Sequence, residues 1–209
     1  KVVVADLQEG GADVIQPLIE AHPERIAYVH ADVTVASDLD RLVDTAVERF
    51  GRIDVLFNNH GVMVGSPFLE TTTEELDTVL NVNVRASFLL SQRVARRMVS
   101  QGGGGSIIHN SSVGGLVGFP DMAAYGTSKA GIAQLARSMA NDLKAHSIRV
   151  NAVAPGGIID GLEIILEHDL LGAMVEALTP QPGTVRLGPS APSHIDPAVA
   201  QQEPAETLA

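Results

Sequence analysis

The chain has 209 residues and no cysteine, which gives room for one sizeable core and excludes disulfides, thiolate metal sites and cysteine nucleophiles. Its formal net charge of −11 argues against nucleic acid or an anionic membrane as a partner. Hydrophobic content of 45% with only 3% aromatics predicts a core of Val, Ile, Leu and Ala, as in helix-covered parallel sheets. No apolar run reaches the length of a membrane span and no signal peptide opens the chain, so the expected compartment is the cytoplasm. The seven histidines form no H-E-x-x-H or similar grouping, so no metal site is expected.

Strands and helices alternate along the sequence. Val2-Val3-Val4-Ala5 reads as a strand ending at Asp6, followed by a helix over Ala12 to Ala21. Ile26 to Val29 is the next strand, ending near Asp32-Val33. Ser37 or Asp38 caps an amphipathic helix through Leu39, Leu42, Val43, Ala46, Val47 and Phe50, and Gly51 ends it as a left-handed cap. Ile53-Asp54-Val55-Leu56-Phe57 reads as a buried parallel strand closed by Asn58-Asn59-His60-Gly61. Thr72 or Thr73 with Glu75 starts another helix, and Asn81-Val82-Asn83 separates it from a longer one over Asn83 to Val99. Gly102 to Gly105 leaves a helix and enters a strand, the reverse of a phosphate cradle, and reads as a flexible linker. Ser106 to Asn110 is a strand running into Ser112, a helix over Asp121 to Ala145 follows, and Ile148 to Val153 is the last strand. Such alternation predicts an α/β fold: a doubly wound parallel sheet with helices on both faces.

The chemistry concentrates at Ser112, Tyr125 and Lys129. A phenol with a free pKa of about 10 is a poor proton donor or acceptor near neutrality. An ammonium four residues along the same helix face stabilises the phenolate. A serine at a strand end can hold the oxygen of a carbonyl or alcohol. Tyr-x-x-x-Lys alone is equally a solvated helix turn. Its company decides: the Asn58 to Gly61 turn, Asn83, the serine strand and Asn151-Ala152-Val153-Ala154-Pro155-Gly156 stand in order around it.

With these motifs the chain resembles the short-chain dehydrogenase/reductase family over roughly residues 1–160. The resemblance implies a Rossmann-like sheet and an NAD(P)-dependent oxidoreductase that interconverts an alcohol with a ketone or aldehyde. It makes Tyr125 the general acid/base, Lys129 the group that tunes it and holds the nicotinamide ribose, and Ser112 the substrate-oxygen ligand. Asn83 would anchor a water linking Lys129 to solvent. Cofactor contacts would come from Asp6, Asp32, Val33, Asn59, Gly61, Tyr125, Lys129, Pro155, Gly156 and Ile158. Asp6, with no basic residue following closely, favours NAD over NADP. Relatives usually carry alanine where this chain has His60, which reads as a tolerated variant. Relatives also form dimers or tetramers through the long helices, so a homo-oligomer is expected.

The sequence departs from the family at several places. No G-x-G-x-x-G turn is present, and the chain is expected to lack the family's first strand-turn-helix and its last strand. The missing first strand would lie between those at Val2 and Ile53, so either these two edges pair with each other or the domain is marginal by itself. Asp160 stands where the family usually has a threonine. Residues 1–178 form the expected Rossmann-like domain, with 161–178 as a substrate lid, and 179–209 a proline-rich, poorly structured segment. A catalytically silent fragment or interaction module that cannot bind the dinucleotide is the alternative function. An epimerase or dehydratase with the same pair is disfavoured because those relatives lack the Asn58 to Gly61 turn.

Overall fold

The computed structural model describes residues 1–8, 11–156 and 185–187. Ile158, Asp160, the lid over 161–178 and most of the 179–209 segment lie outside the described residues. The first ladder is formed by β1 (Val2–Asp6) and β2 (Ile26–His30), in parallel, with α1 (Gly11–Ala21) between them in sequence. A second sheet has the order β3-β4-β5-β6, from β3 (Val55–Asn58), β4 (Gly105–Asn110), β5 (Ile148–Ala154) and β6 (Val185–Leu187), all parallel. The connections are α2 (Ala36–Phe50), then α3 (Thr73–Val79) running through a π-helical turn (Leu80–Arg85) into α4 (Ala86–Gln101), and α5 (Ala123–Leu143). The Rossmann-like architecture read from the sequence is the one found.

Two apolar layers flank the central strands because successive strand residues face opposite sides. Ile107 of β4, with Ile148, Val150 and Ala152 of β5, packs against Leu90, Val94 and Met98 of α4, Ala136 and Ala140 of α5, and Leu39 of α2. Ile108, Val153 and Phe57 pack together in a second, smaller cluster. Ile132 is buried and Met139 packs against the main cluster, so both serve the core. An ion pair at 2.6 Å between Arg93 and Asp40 ties α4 to α2.

Among the described residues β1 pairs only with β2, and β3 only with β4. The two edges therefore do not pair with each other. The surroundings of β1 are correspondingly thin. α1 buries no residue, and its Val14 and Leu18 are 78% and 55% exposed.

Several local expectations shift. α2 begins at Ala36 with Val35 as a cap that makes no side-chain bond, so neither Ser37 nor Asp38 caps it. Asp38 instead accepts from the Asp32 amide at 2.9 Å and from Arg41 at 2.7 Å. Thr72 and Glu75 form the complete capping box of α3. Gly102 to Gly104 all have positive φ, and a Cβ on Gly104 would lie 2.3 Å from the Ser147 carbonyl oxygen. This run is a shaped turn that only glycine fits, in place of the expected flexible linker. β6 falls inside the proline-rich segment and pairs with β5 from Ala152↔Val185 to Ala154↔Leu187.

Burial sets a contrast in stability. Ile107→Ala in β4 should cost about 2–5 kcal/mol by urea denaturation, whereas Val14→Ala on the exposed face of α1 should cost less than about 0.5 kcal/mol. Equal losses would contradict this division.

Candidate active site

Close backbone packing brings the predicted catalytic residues together. Ser112 caps a short 3₁₀ turn (Val113–Gly115), its Oγ accepting from the Gly114 amide at 3.1 Å. That turn lies directly on α5. A Cβ on Gly115 would stand 2.6 Å from the Ala130 nitrogen, and one on Gly126 would stand 2.7 Å from the Gly114 carbonyl oxygen. Any larger residue at either position would push the Ser112 turn off the helix. A Cβ on Gly114 would lie 3.5 Å from both Ser112 Oγ and Tyr125 Cε1, so serine and phenol ring flank the same glycine.

Lys129 is 4% exposed, and its Nζ lies 5.7 Å from the Tyr125 ring centroid. Nζ donates to the Asn110 carbonyl at the end of β4 at 2.8 Å. Burial pushes the lysine down to about 8 from its ordinary 10.5. A Cβ on Gly61 would meet Asn83 Oδ1 and Lys129 Nζ, each at 3.3 Å, which places the end of the Asn58 to Gly61 turn beside the ammonium.

Asn83 sits fully buried in the π-helical turn. Its Oδ1 accepts from the Val62 amide at 2.8 Å, and its Nδ2 donates to the Val62 carbonyl and to Ser128 Oγ, each at 2.9 Å. Ser128 Oγ in turn donates to the Tyr125 carbonyl at 2.7 Å. The amide is thus engaged in bracing the 61–62 loop and α5. A water held by this residue would use its main-chain carbonyl.

Sequence reasoning missed the residues that hold this frame. Ser111 is buried and donates to the Lys129 carbonyl at 2.7 Å, and Ser128 links Asn83 to α5. Gly115 and Gly126 make the close approach. Their only sequence signal was a density of small residues between 111 and 130.

The cofactor candidates divide in two. Asp6 ends β1, is exposed, and accepts from the Gln8 amide at 2.9 Å. Its carbonyl accepts from Ala31, bringing it beside Asp32, whose Oδ1 accepts from the amide and hydroxyl of Thr34. Val33 packs against the main core. On the other side, Asn59 Oδ1 accepts from Asn110 Nδ2 at 2.8 Å, close to Gly61 and Lys129, and the Pro155 carbonyl accepts from Val113 at 2.9 Å, with Gly156 following. No contact joins Asp6 or Asp32 to the tyrosine-lysine cluster among the described residues. The residues suit the two nucleoside ends of a dinucleotide. Asn110 Oδ1 is buried without a partner, and Lys129 has two N–H donors with no acceptor among the described residues. No described residues offer a G-x-G-x-x-G turn for a pyrophosphate.

With this geometry in place, comparison with known proteins is decisive. The family profile described as "Enoyl-(Acyl carrier protein) reductase" matches residues 1–186. The chain belongs to the short-chain dehydrogenase/reductase family. It is 40% identical over 156 residues to an uncharacterised oxidoreductase of Thermotoga maritima, covering 75% of this chain and 61% of that protein. It is 37% identical to L-2,3-butanediol dehydrogenase of Corynebacterium glutamicum, covering 77% and 63%. It also matches 7 alpha-hydroxysteroid dehydrogenase, solved with NADH and 7-oxo glycochenodeoxycholic acid, at a TM-score of 0.69 and 33% identity, covering 76% and 62%. This short-chain dehydrogenase/reductase chain thus spans somewhat over three fifths of the length of these relatives. No helix among the described residues is long and apolar enough to cross a membrane.

Two histidines, the part-buried His60 and the fully buried His109, lie behind the site. His60 Nε2 is 3.1 Å from Ser87 Oγ, and His109 Nδ1 is 3.3 Å from Asn58 Nδ2. Burial, with Lys129 adding repulsion at His60 and His60 at His109, pushes both imidazoles down to about 4 from 6.5. The unfolded chain takes up these protons near pH 6.5 and the folded chain refuses them until about pH 4. Stability present above pH 6.5 is therefore lost as the pH falls through that window, by about 3 kcal/mol for the fully buried His109. In urea titrations from pH 7 to pH 4, His109→Gln should lose less stability than the unsubstituted chain. Parallel curves would contradict this.

Proposed function

We propose that this chain carries the catalytic centre of an NAD-dependent oxidoreductase that interconverts a small-molecule alcohol and a ketone or aldehyde. The observation that carries this reading is the packing of Ser112, Tyr125 and Lys129 around one glycine-lined contact, with the ammonium 5.7 Å from the phenol ring. In the reductive direction the Tyr125 hydroxyl gives its proton to the substrate oxygen while the carbonyl carbon accepts a hydride. The Ser112 hydroxyl holds that oxygen. Lys129 stabilises the negative charge left on Tyr125 and, titrating near 8, passes on a replacement proton. The Asn83 carbonyl provides the acceptor for a water that connects Lys129 to solvent. Oxidation runs the same steps backwards.

NAD, when bound, supplies the hydride acceptor or donor. Asp6 and Asp32 with Val33 would hold its adenosine end. Asn59 and Gly61 would border its adenine-ribose pocket, and Tyr125, Lys129, Pro155 and Gly156 would hold its nicotinamide end, together with Ile158 from outside the described residues. The Asp6 carboxylate would repel a 2′-phosphate, which favours NAD over NADP. The solved 7 alpha-hydroxysteroid dehydrogenase, with its NADH, supports a dinucleotide here. The proposal includes a homo-oligomer, dimer or tetramer, and a cytoplasmic location. An apolar cleft of about 410 Å³ lined by Leu80, Val84, Phe88 and Leu89, with Phe88 49% exposed, supports a contact through α4.

A second reading is a domain that keeps this centre but holds no dinucleotide. The edges of β1 and β3 that pair with no further strand among the described residues favour it. NADH fluorescence separates the two. The oxidoreductase reading expects saturable binding below millimolar NADH and ketone-dependent NADH consumption that Tyr125→Phe lowers by about 10²–10⁴-fold. No binding at millimolar NADH would overturn it.

A further inference from the structure

A polar cluster behind Lys129, buried except for the part-buried His60, has no part in the steps above. It comprises His60 after β3, Asn58 at the end of β3, His109 in β4, and Ser87 and Ser91 on α4. Proton counting fixes its most important member. The Asn83 carbonyl can only accept, and Ser87 Oγ stands 2.7 Å from it, so the single Ser87 hydrogen points there. The same Oγ lies 3.1 Å from His60 Nε2. It has no hydrogen left to give, so Nε2 carries the proton and donates. The chain of donation therefore runs His60 Nε2–H to Ser87 to the Asn83 carbonyl.

That carbonyl is the acceptor assigned above to the proton route, and Ser87 is 2% exposed. His60 also precedes Gly61, whose Cβ would already touch Lys129 Nζ. We propose that His60 is a positioning residue for proton transfer at Lys129: its Nε2–H locks the Ser87 hydroxyl onto the Asn83 carbonyl, and its part-buried ring keeps bulk water, other than the one connecting water, from the ammonium. This role rests on the oxidoreductase reading for its purpose, though the hydrogen-bond chain stands without it. Among the described residues, the titratable groups facing Lys129 are His60 from the β3 loop, Tyr125 from α5, and His109 from β4 behind His60. His60, pushed down to about 4, stays neutral throughout the range in which Lys129 titrates, so the ring adds no second positive charge there.

Two measurements on the full chain test this, and neither needs cofactor or substrate. Nitrogen-15 NMR of the imidazoles at pH 7 should show His60 as the Nε2–H tautomer, and Ser87→Ala should relax it towards a mixture. An Nδ1–H tautomer in the unsubstituted protein overturns the proposal. The second follows the ¹³Cε resonance of Lys129, one of only three lysines with Lys1 and Lys144. His60→Ala, by admitting water, should raise its titration midpoint by about one pH unit, a tenfold gain in proton affinity. His60→Gln, whose amide nitrogen can donate from near the Nε2 position, should restore most of the shift. An unchanged midpoint in His60→Ala, or no restoration by His60→Gln, overturns the proposal. Failure of NADH to bind would sink the oxidoreductase reading and leave both of these results interpretable.

Discussion

Everything at the centre of this protein is arranged around a buried ammonium. An isolated charge of this kind is strongly disfavoured in a protein interior unless hydrogen-bonded. Among the described residues Lys129 meets that constraint with a single acceptor, the Asn110 carbonyl at the end of β4, and with partial loss of its proton affinity. The neighbouring elements are shaped to allow it. Gly61 keeps the β3 loop from filling the space, Ser111 ties the Lys129 backbone to the end of β4, and Ser128 with Asn83 ties the same helical turn to the π-helical turn. Helix, strand end and loop are thus fixed to one another around the Lys129 ammonium.

A second constraint sets where Ser112 stands. The turn that carries it touches α5 backbone to backbone, which only glycine at 115 and 126 allows. This contact, more than any side-chain bond, brings serine and tyrosine to one glycine. The site is therefore built on α5, the end of β4 with the 3₁₀ turn after it, the π-helical turn and the loop after β3, packed against the best-buried part of the fold. The β1–β2 ladder with α1 lies outside that block and contributes the adenosine-side candidates from much more exposed ground.

The sequence made much of this legible, for definite reasons. Short apolar runs between helical patterns, rich in β-branched residues, read as parallel strands covered on both faces, so the sheet was predictable. Tyr125 and Lys129 were visible because helical spacing is rigid, and Thr72 with Glu75 because a capping box is local. What escaped depends on contacts distant in sequence. Asn81 to Asn83 looked like a break between helices. A π-helical turn instead keeps α3 and α4 continuous and turns Asn83 inward. Ser37 or Asp38 looked like a cap, but α2 starts earlier, after Val35, and the Asp38 carboxylate accepts from the distant Asp32 amide. The glycines at 102–104 looked loose because nothing local reveals that the Ser147 carbonyl lies against them. His60 read as a neutral variant, since Ser87 is 27 residues away in sequence.

The central claim is that burial holds Lys129 ready to exchange its proton near neutral pH. The most direct test is the ¹³Cε titration of Lys129 in the unsubstituted full chain. A midpoint near 8 is the predicted result. A midpoint near the ordinary 10.5 would show a hydrated, solvent-facing lysine and would contradict the account.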